Sequence, residues 1–368
     1  MVSRKPCLHR LTERLRSAYE PVYLEATIEM DPFRIEAEDL LLNLALSVES
    51  AMRERGTPLP DELLGRVRGW FDEVVSTTRW ATGFSAEAAA GFEAKLETPF
   101  TGGLFGSLKA LFKQESEYRT EVKEVLRKYP GTLLASVNGL LDGAQKVLGD
   151  RALLVVVDNL DRYDPEVIDR LLGVGADRMR QLRCNLLLTP PIGLVLQPLS
   201  TQLDRIYSCH FLSAVRLRDP GLAYDLFSGP GRDLMEQALA RRIDLDVILP
   251  ERAARDRLIS ASGGSMRELL DLLLKSALFA RGEVILEADV EIAVAERKQM
   301  LRDLINANGW IDTVVQVARE KQIHHDPKCM AILFHYLAFK YNGEGWYDIH
   351  PLIAELPEFE RARRADAG

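Results

Sequence analysis

The stretch Ala152–Asp164, ALLVVVDNLDRYD, drives six apolar residues straight into three aspartates, Asp158, Asp161 and Asp164. Leucine and β-branched valine in an unbroken run predict a buried strand of the kind found inside parallel sheets. Carboxylates buried together without a counter-charge repel one another, so a positive group is expected close by. Asp158 follows LLVVV directly, at the carboxyl end of the strand, where open α/β sheets bind their ligands. A bound cation would supply the missing charge. Asp164, just before Pro165, is read as the cap of the next helix.

Working outward, short apolar strands alternate with helices. LHRLTERLRSAY has the spacing of an amphipathic helix, PVYLEATIEM reads as a strand, and EAEDLLLNLALSVESAMRERG as a helix ended by Gly56. Residues 58–80 read as helical, and 81–106, with TPFTGGLFG inside, as a loop-rich insertion. SEYRTEVKEVLRKY and GTLLASVNGLLDGAQKVLG are two further helices before the aspartate strand. After it come a helix over PEVIDRLLGVGADRMRQL, a short strand in CNLLLTPP and a third in CHFLSAVRL. This alternation predicts an α/β fold with a parallel sheet. Beyond residue 219 the reading is helical, EVILE being the one further strand candidate. The expected organisation is an α/β core over 1–218, a helical lid over 219–300 and a helical tail over 301–368.

Composition narrows the function class. Of 368 residues, 47% are apolar and 28% charged, ordinary for a soluble domain protein. A net charge of −8 argues against indiscriminate nucleic-acid binding. No apolar run approaches the roughly 18–20 residues of a membrane span, so no membrane association is expected. The opening MVSRKPCLHR lacks the apolar core of a signal peptide. Cys7, Cys184, Cys209 and Cys329 are scattered without a CxxC pair, which reads as reduced thiols in a cytoplasmic protein. QIHHDPKC brings His324, His325, Asp326 and Cys329 together, but no second cluster completes a tetrahedral zinc site.

With these residues in view, the chain resembles the P-loop NTPases of the AAA+ and STAND kind, over roughly Leu8 to Ala280. VVVDNLDR matches their Walker B motif, and its DNLDR is similar to that of KAP-type ATPases. The resemblance implies ATP and Mg²⁺ as cofactors, with Asp158 in the magnesium position. Many AAA+ members have Glu after that Asp, whereas this chain has Asn159, whose amide cannot accept a proton from water. The D-x-x-D spacing then points to Asp161 as the residue acting on the attacking water. NLLLTPP looks like the sensor 1 strand, with Thr189 reading the γ-phosphate; it is equally read as a strand-end residue before two prolines. SGGSMRELLDLLLKSALFA is similar to the sensor 2 region of origin-recognition-type AAA+ proteins, and Arg267 matches the arginine that reaches the nucleotide. The alternative is a solvated arginine in a first helical turn, where the helix dipole disfavours it.

The phosphate-cradling string G-x-x-x-x-G-K-[ST] occurs nowhere in the chain. TPFTGGLFGSLK has the wrong spacing and no preceding strand, and SRKP, where the loop's end should fall, offers Arg4 and Lys5 but no glycine. Either the first strand and loop lie upstream of residue 1, or the chain is a degenerate member. The former is favoured, because by resemblance that strand lies between NLLLTP and HFLSAVRL, and losing it strips hydrogen-bond partners from two edges. ATP binding by these residues alone is expected to be weak or absent, and no hydrolysis is expected of them.

The resulting expectation is an ATP-binding or ATPase module acting as a nucleotide-dependent switch with a protein partner or in a homo-oligomer; by analogy such systems serve bacterial signalling or phage defence. The rivals are a non-hydrolysing scaffold, which Asn159 and the absent loop favour, and a DNA-associated loader-type protein. The tail segment YNGEGWYDIHPLI reads as an aromatic clamp onto the lid or as a partner-binding, winged-helix-like surface.

Overall fold

Valine and leucine favour the pleated backbone, and in the run before Asp158 they have no polar face to offer water, so the strand they form must be enclosed on both sides. That strand is β2, Ala152–Asp158, and its residues Leu153–Val157 are only 0–6% exposed. The computed structural model describes residues 5–29, 35–65, 69, 130–196, 205–341 and 345–366. The chain divides into two units, one comprising Lys5–Leu194 with Leu199–Ser208, the other essentially Cys209 onward.

In the first unit β2 is the middle of a three-stranded, all-parallel sheet between β1 (Tyr19–Glu25) and β3 (Asn185–Leu188). The fold is therefore mixed α/β with a parallel sheet, as the alternating pattern implied. β1 runs in register from Tyr19 opposite Ala152 to Glu25 opposite Asp158. Helices α1 (Lys5–Leu15) and α2 (Ala26–Glu29) flank β1, and α3 (Ala37–Glu54) and α4 (Pro130–Leu148) pack on the sheet and on each other. Their contact stripes, Leu40, Leu44 and Val48 on α3 and Leu133, Val137 and Leu141 on α4, are fully buried. Each such side chain contributes about 1.5–3 kcal/mol. The Gln145 side chain sets the start of β2, accepting from the Leu153 N–H and donating to the Arg151 carbonyl, both at 2.9 Å.

The two outer strands differ in character. β1 carries Pro21, which has no N–H to offer, and Glu20, which is ion-paired with Arg55 and Arg151. β3 is three leucines, Leu186, Leu187 and Leu188, all half-buried. The helix expected over 165–182 is interrupted: α5 (Pro165–Asp169) widens into a π-helical stretch over Arg170–Val174 before α6 (Ala176–Arg180). At Gly175 a Cβ would stand 2.3 Å from the Leu171 carbonyl oxygen, so the close turn there requires glycine. Asp164 caps α5, accepting from the Glu166 N–H at 2.8 Å. Of the helix expected over 58–80, residues 61–65 are helical. Residues 58–60 are described and not helical; positions 66–68 and 70–80, the insertion at 81–106, the helix at 116–129 and Arg4 lie outside the described residues, while Lys5 opens α1.

The second unit is mainly helical: α7 (Gly231–Ala240), α8 (Leu245–Ile248), α9 (Arg252–Ala261), α10 (Met266–Phe279), α11 (Glu287–Asn308), α12 (Ile311–Glu320) and α13 (Pro327–Phe334). A hairpin of β4 (Ala338–Lys340) and β5 (Tyr347–Ile349) follows, then α14 (Pro351–Ala354) and α15 (Pro357–Asp366). CHFLSAVRL, read from sequence as a third strand of the parallel sheet, belongs to this unit instead. Among the described residues its backbone pairing is one bridge from Ala214 to Tyr341 and single bonds from the Val215 N–H to the Gly264 carbonyl and from the Ser228 N–H to the Leu217 carbonyl. EVILE is not a strand either; the Ile285 N–H bonds the Ile248 carbonyl and helix α11 starts at Glu287.

The hairpin is held by a buried charge. Asp348, 1% exposed, accepts from Arg218 at 2.8 Å, Lys321 at 2.7 Å and the Tyr224 hydroxyl at 2.8 Å. Arg218 is itself 2% exposed and lies over the Tyr224 ring. Removing the carboxylate leaves that guanidinium buried and uncompensated, so Asp348→Asn is expected to destabilise this unit by about 3–5 kcal/mol. Urea unfolding followed by tryptophan fluorescence measures the loss; a change below about 1 kcal/mol, the size typical of exposed pairs, would show the pair to be surface-like.

Candidate functional site

The carboxyl end of the parallel sheet gathers five polar side chains from the ends of its three strands and the turn after β2. Asp158 is the last residue of β2 and is 5% exposed. The Asn159 N–H donates to its Oδ1 at 2.8 Å and the Thr189 hydroxyl donates to the same oxygen at 3.0 Å. Both bonds fall on Oδ1 and hold the carboxylate by that oxygen. Thr189 reaches this position because β3 pairs with β2 up to Leu188 and its own N–H still bonds the Val157 carbonyl at 3.2 Å. Asp158 and Thr189, picked out separately in the sequence, are thus in direct contact.

The chain leaves β2 by a sharp turn. Asn159 has φ 66° and ψ 17°, a left-handed conformation that asparagine tolerates better than other side chains with a Cβ. A 3₁₀ turn over Leu160–Arg162 follows and carries Asp161, 7% exposed, one turn beyond Asp158. Tyr163, fully buried, closes the turn by donating its hydroxyl to the Ala26 carbonyl at 3.0 Å.

One member of the site was not singled out in the sequence. Glu25 ends β1 directly opposite Asp158, and the Asn159 side-chain amide donates to its Oε1 at 2.9 Å. The orientation of that amide follows from chemistry, since a carboxylate only accepts. In the sequence Glu25 is merely an acidic residue in PVYLEATIEM; only the strand register brings it beside a residue 134 positions away.

Arg267 lies in the second unit, in the first turn of α10. Ser265 caps that helix, and the preceding Gly263 and Gly264 both have positive φ. A Cβ on Gly264 would meet the Val215 carbonyl at 1.9 Å and one on Gly263 the Phe339 ring at 2.7 Å, so the Gly-Gly turn is required by the backbone at Val215 and the hairpin packed against it. The Arg267 guanidinium donates to the Tyr336 hydroxyl and lies 5.1 Å from that ring's centre. Arginine–aromatic contacts of this kind offset the unfavourable first-turn position.

The residue after Arg267, Glu268, is buried between Arg297, which donates to it at 2.8 and 2.9 Å, and the enclosed His350. Burial alone would raise its carboxyl, but the hydrogen bond from His350 and the Arg297 guanidinium outweigh it and hold the group down at about 2. Burial pushes the His350 imidazole below its ordinary value, against the pull of Glu268. Its Nδ1 accepts from the Leu352 N–H, so Nε2 carries the proton.

Among the described residues no three His, Cys, Asp or Glu side chains stand close enough to cage a metal ion, and no helix is long and apolar enough to cross a membrane. No known protein family, curated protein or solved structure matches this chain.

The Glu268 node fixes an acid dependence. Its folded value near 2 lies below the unfolded value of about 4.3, so the stability it contributes is full above about pH 5 and is lost as pH falls toward 2. His350 adds to the loss below about pH 6.5, where the unfolded imidazole takes up a proton that the folded one resists. Urea unfolding between pH 7 and pH 3 is expected to show stability falling on the acid side, by on the order of 3 kcal/mol for complete protonation of Glu268. Glu268→Gln is expected to be less stable at neutral pH and to flatten that fall; an acid limb unchanged in the variant would assign the loss to other groups.

Proposed function

We propose that the chain is an ATP-binding and ATP-hydrolysing module of the AAA+/STAND type, working as a nucleotide-dependent switch in the cytoplasm with a protein partner or in a homo-oligomer. The observation that carries this reading is Asp158: a buried carboxylate at the ligand-binding end of a parallel sheet, with one oxygen fixed by Thr189 and Asn159. A magnesium ion brought in with nucleotide phosphates needs only one or two protein carboxylates, keeping phosphate oxygens and water for the rest. The donor set therefore fits Mg²⁺–ATP, and a dedicated all-protein cage is not required. When bound, the ion supplies charge neutralisation at the phosphates.

On this reading Asp158 would hold the ion. Thr189 fixes the Asp158 carboxylate and senses the γ-phosphate, Asp161 helps orient the attacking water, and Arg267 couples the helical unit to the nucleotide. The phosphate side fits less well, because the sequence has no G-x-x-x-x-G-K-[ST] cradle. Backbone N–H groups and the lysine of that loop supply most of the positive field around the phosphates, so affinity is expected to be weak, with Kd on the order of 1 mM. The same absence favours the non-hydrolysing scaffold as the second reading.

The test is a competition titration of Mg²⁺–ATP against a fluorescent analogue, with phosphate release measured at millimolar ATP. Asp158→Ala is expected to abolish Mg²⁺-dependent binding, Asp161→Asn to lower turnover at least tenfold with little loss of binding, and Arg267→Ala to remove ATP protection of the helical unit from protease. Equal, mild effects at Asp158 and Asp161 would refute these roles, and binding without any turnover would favour the scaffold. Micromolar affinity would point to a cradle built from other residues.

A further inference from the structure

The residue that follows Asp158 in this chain is an amide, and the structure shows what that amide bonds. Asn159 is held at both ends, its N–H on Asp158 Oδ1 and its Nδ2 donating to Glu25 Oε1 at 2.9 Å. Its left-handed backbone points the side chain sideways, across to the neighbouring strand. Glu25 is the residue of β1 in register with Asp158, so the two backbones stand about one strand spacing apart, roughly 4.8 Å, at the same end of the sheet. The backbone just past Glu25 is fixed as well, since the Ala26 carbonyl accepts from the buried Tyr163 hydroxyl. Glu25 is half-buried, whereas Asp161 is enclosed at 7% exposure.

We propose that Glu25 is the proton acceptor of this site and that Asn159 is its positioning residue. The inference rests on the ATPase reading given above. In the step assigned, a water oxygen forms a bond to the γ-phosphorus while the bond from that phosphorus to the β–γ bridging oxygen breaks. ADP departs with that bond's electron pair. One water proton passes to the Glu25 carboxylate and later to solvent, which leaves inorganic phosphate and restores the carboxylate. Asp161 orients the water; Glu25 supplies the base that Asn159 cannot be, and the amide keeps the carboxylate aimed by binding one of its two oxygens.

A structural clamp between β1 and β2 is the alternative role for the same hydrogen bond, and Glu25→Gln separates the two. Glutamine can still accept from Asn159 through its carbonyl oxygen, so the clamp persists while the base is removed. The full chain is assayed at millimolar Mg²⁺–ATP for phosphate release across pH, for ATP binding by competition with a fluorescent analogue, and for thermal melting. The expected result for Glu25→Gln is wild-type melting and binding, with turnover down by about 100-fold or more and the acidic limb of the rate profile gone. The exchange Glu25→Asn/Asn159→Glu, which moves the carboxylate to the other end of the same hydrogen bond, is expected to recover part of that turnover.

A Glu25→Gln protein that keeps more than half of wild-type turnover would overturn the assignment, as would one whose melting, binding and turnover fall together while the exchange restores none of them. A wild-type chain that binds ATP without turning it over overturns the role of Glu25 and leaves nucleotide binding standing. A wild-type chain that binds no ATP overturns the ATPase reading, and the role of Glu25 with it.

Discussion

Everything at the candidate site depends on burying a strand with no polar face. Once Leu153–Val157 must be enclosed, β2 has to lie in the middle of a sheet, flanked by β1 and β3 and covered by α3 and α4. Parallel pairing then carries the ends of all three strands to one edge, and that edge is where the chain first has polar side chains to place. Asp158, Glu25 and Thr189 come together because each ends, or immediately follows, a strand whose register is fixed by the apolar residues before it. A one-residue slip would turn Asp158 to the opposite face, so core packing and site geometry are one constraint.

The turn after β2 converts this constraint into chemistry. Asn159 in the left-handed region costs little, and it lets one residue bond Asp158 through its backbone and Glu25 through its side chain. A glutamate in its place would stand beside Glu25 with no hydrogen to give, and the two carboxylates would repel each other. The second unit follows a similar economy. A single buried carboxylate, Asp348, gathers Arg218, Lys321 and Tyr224 from distant stretches and anchors the β4–β5 hairpin. The Gly263–Gly264 turn before α10 is likewise set by what packs against it.

Local signals in the sequence carried much of this. The apolar run before Asp158, the cap at Asp164, the helices α3 and α4 and the strand up to Glu25 were legible, because periodicity and turn residues act over a few positions; the ATIE part of PVYLEATIEM, read as more strand, is the helix α2. The partnership of Glu25 and Asn159 was not, since it depends on strand register across a long separation. CHFLSAVRL has the composition of a strand, yet its N–H groups bond a glycine turn and a hairpin in the helical unit, a choice that tertiary packing makes and propensity does not. The break in the helix after Asp169 had a visible cause in Gly175, but a continuous apolar spacing masked it. The β4–β5 hairpin was hidden because each of its strands has only three residues.

The central claim is that the carboxyl end of this sheet holds a divalent ion beside nucleotide phosphates. The most direct test is a crystal structure of the chain soaked with Mn²⁺ and a non-hydrolysable ATP analogue, with anomalous scattering to locate the manganese. The account predicts an anomalous peak about 2–4 Å from the Asp158 carboxylate, together with density for the nucleotide at this end of the sheet. Manganese and nucleotide found together at another place on the molecule, with nothing at Asp158, would contradict it.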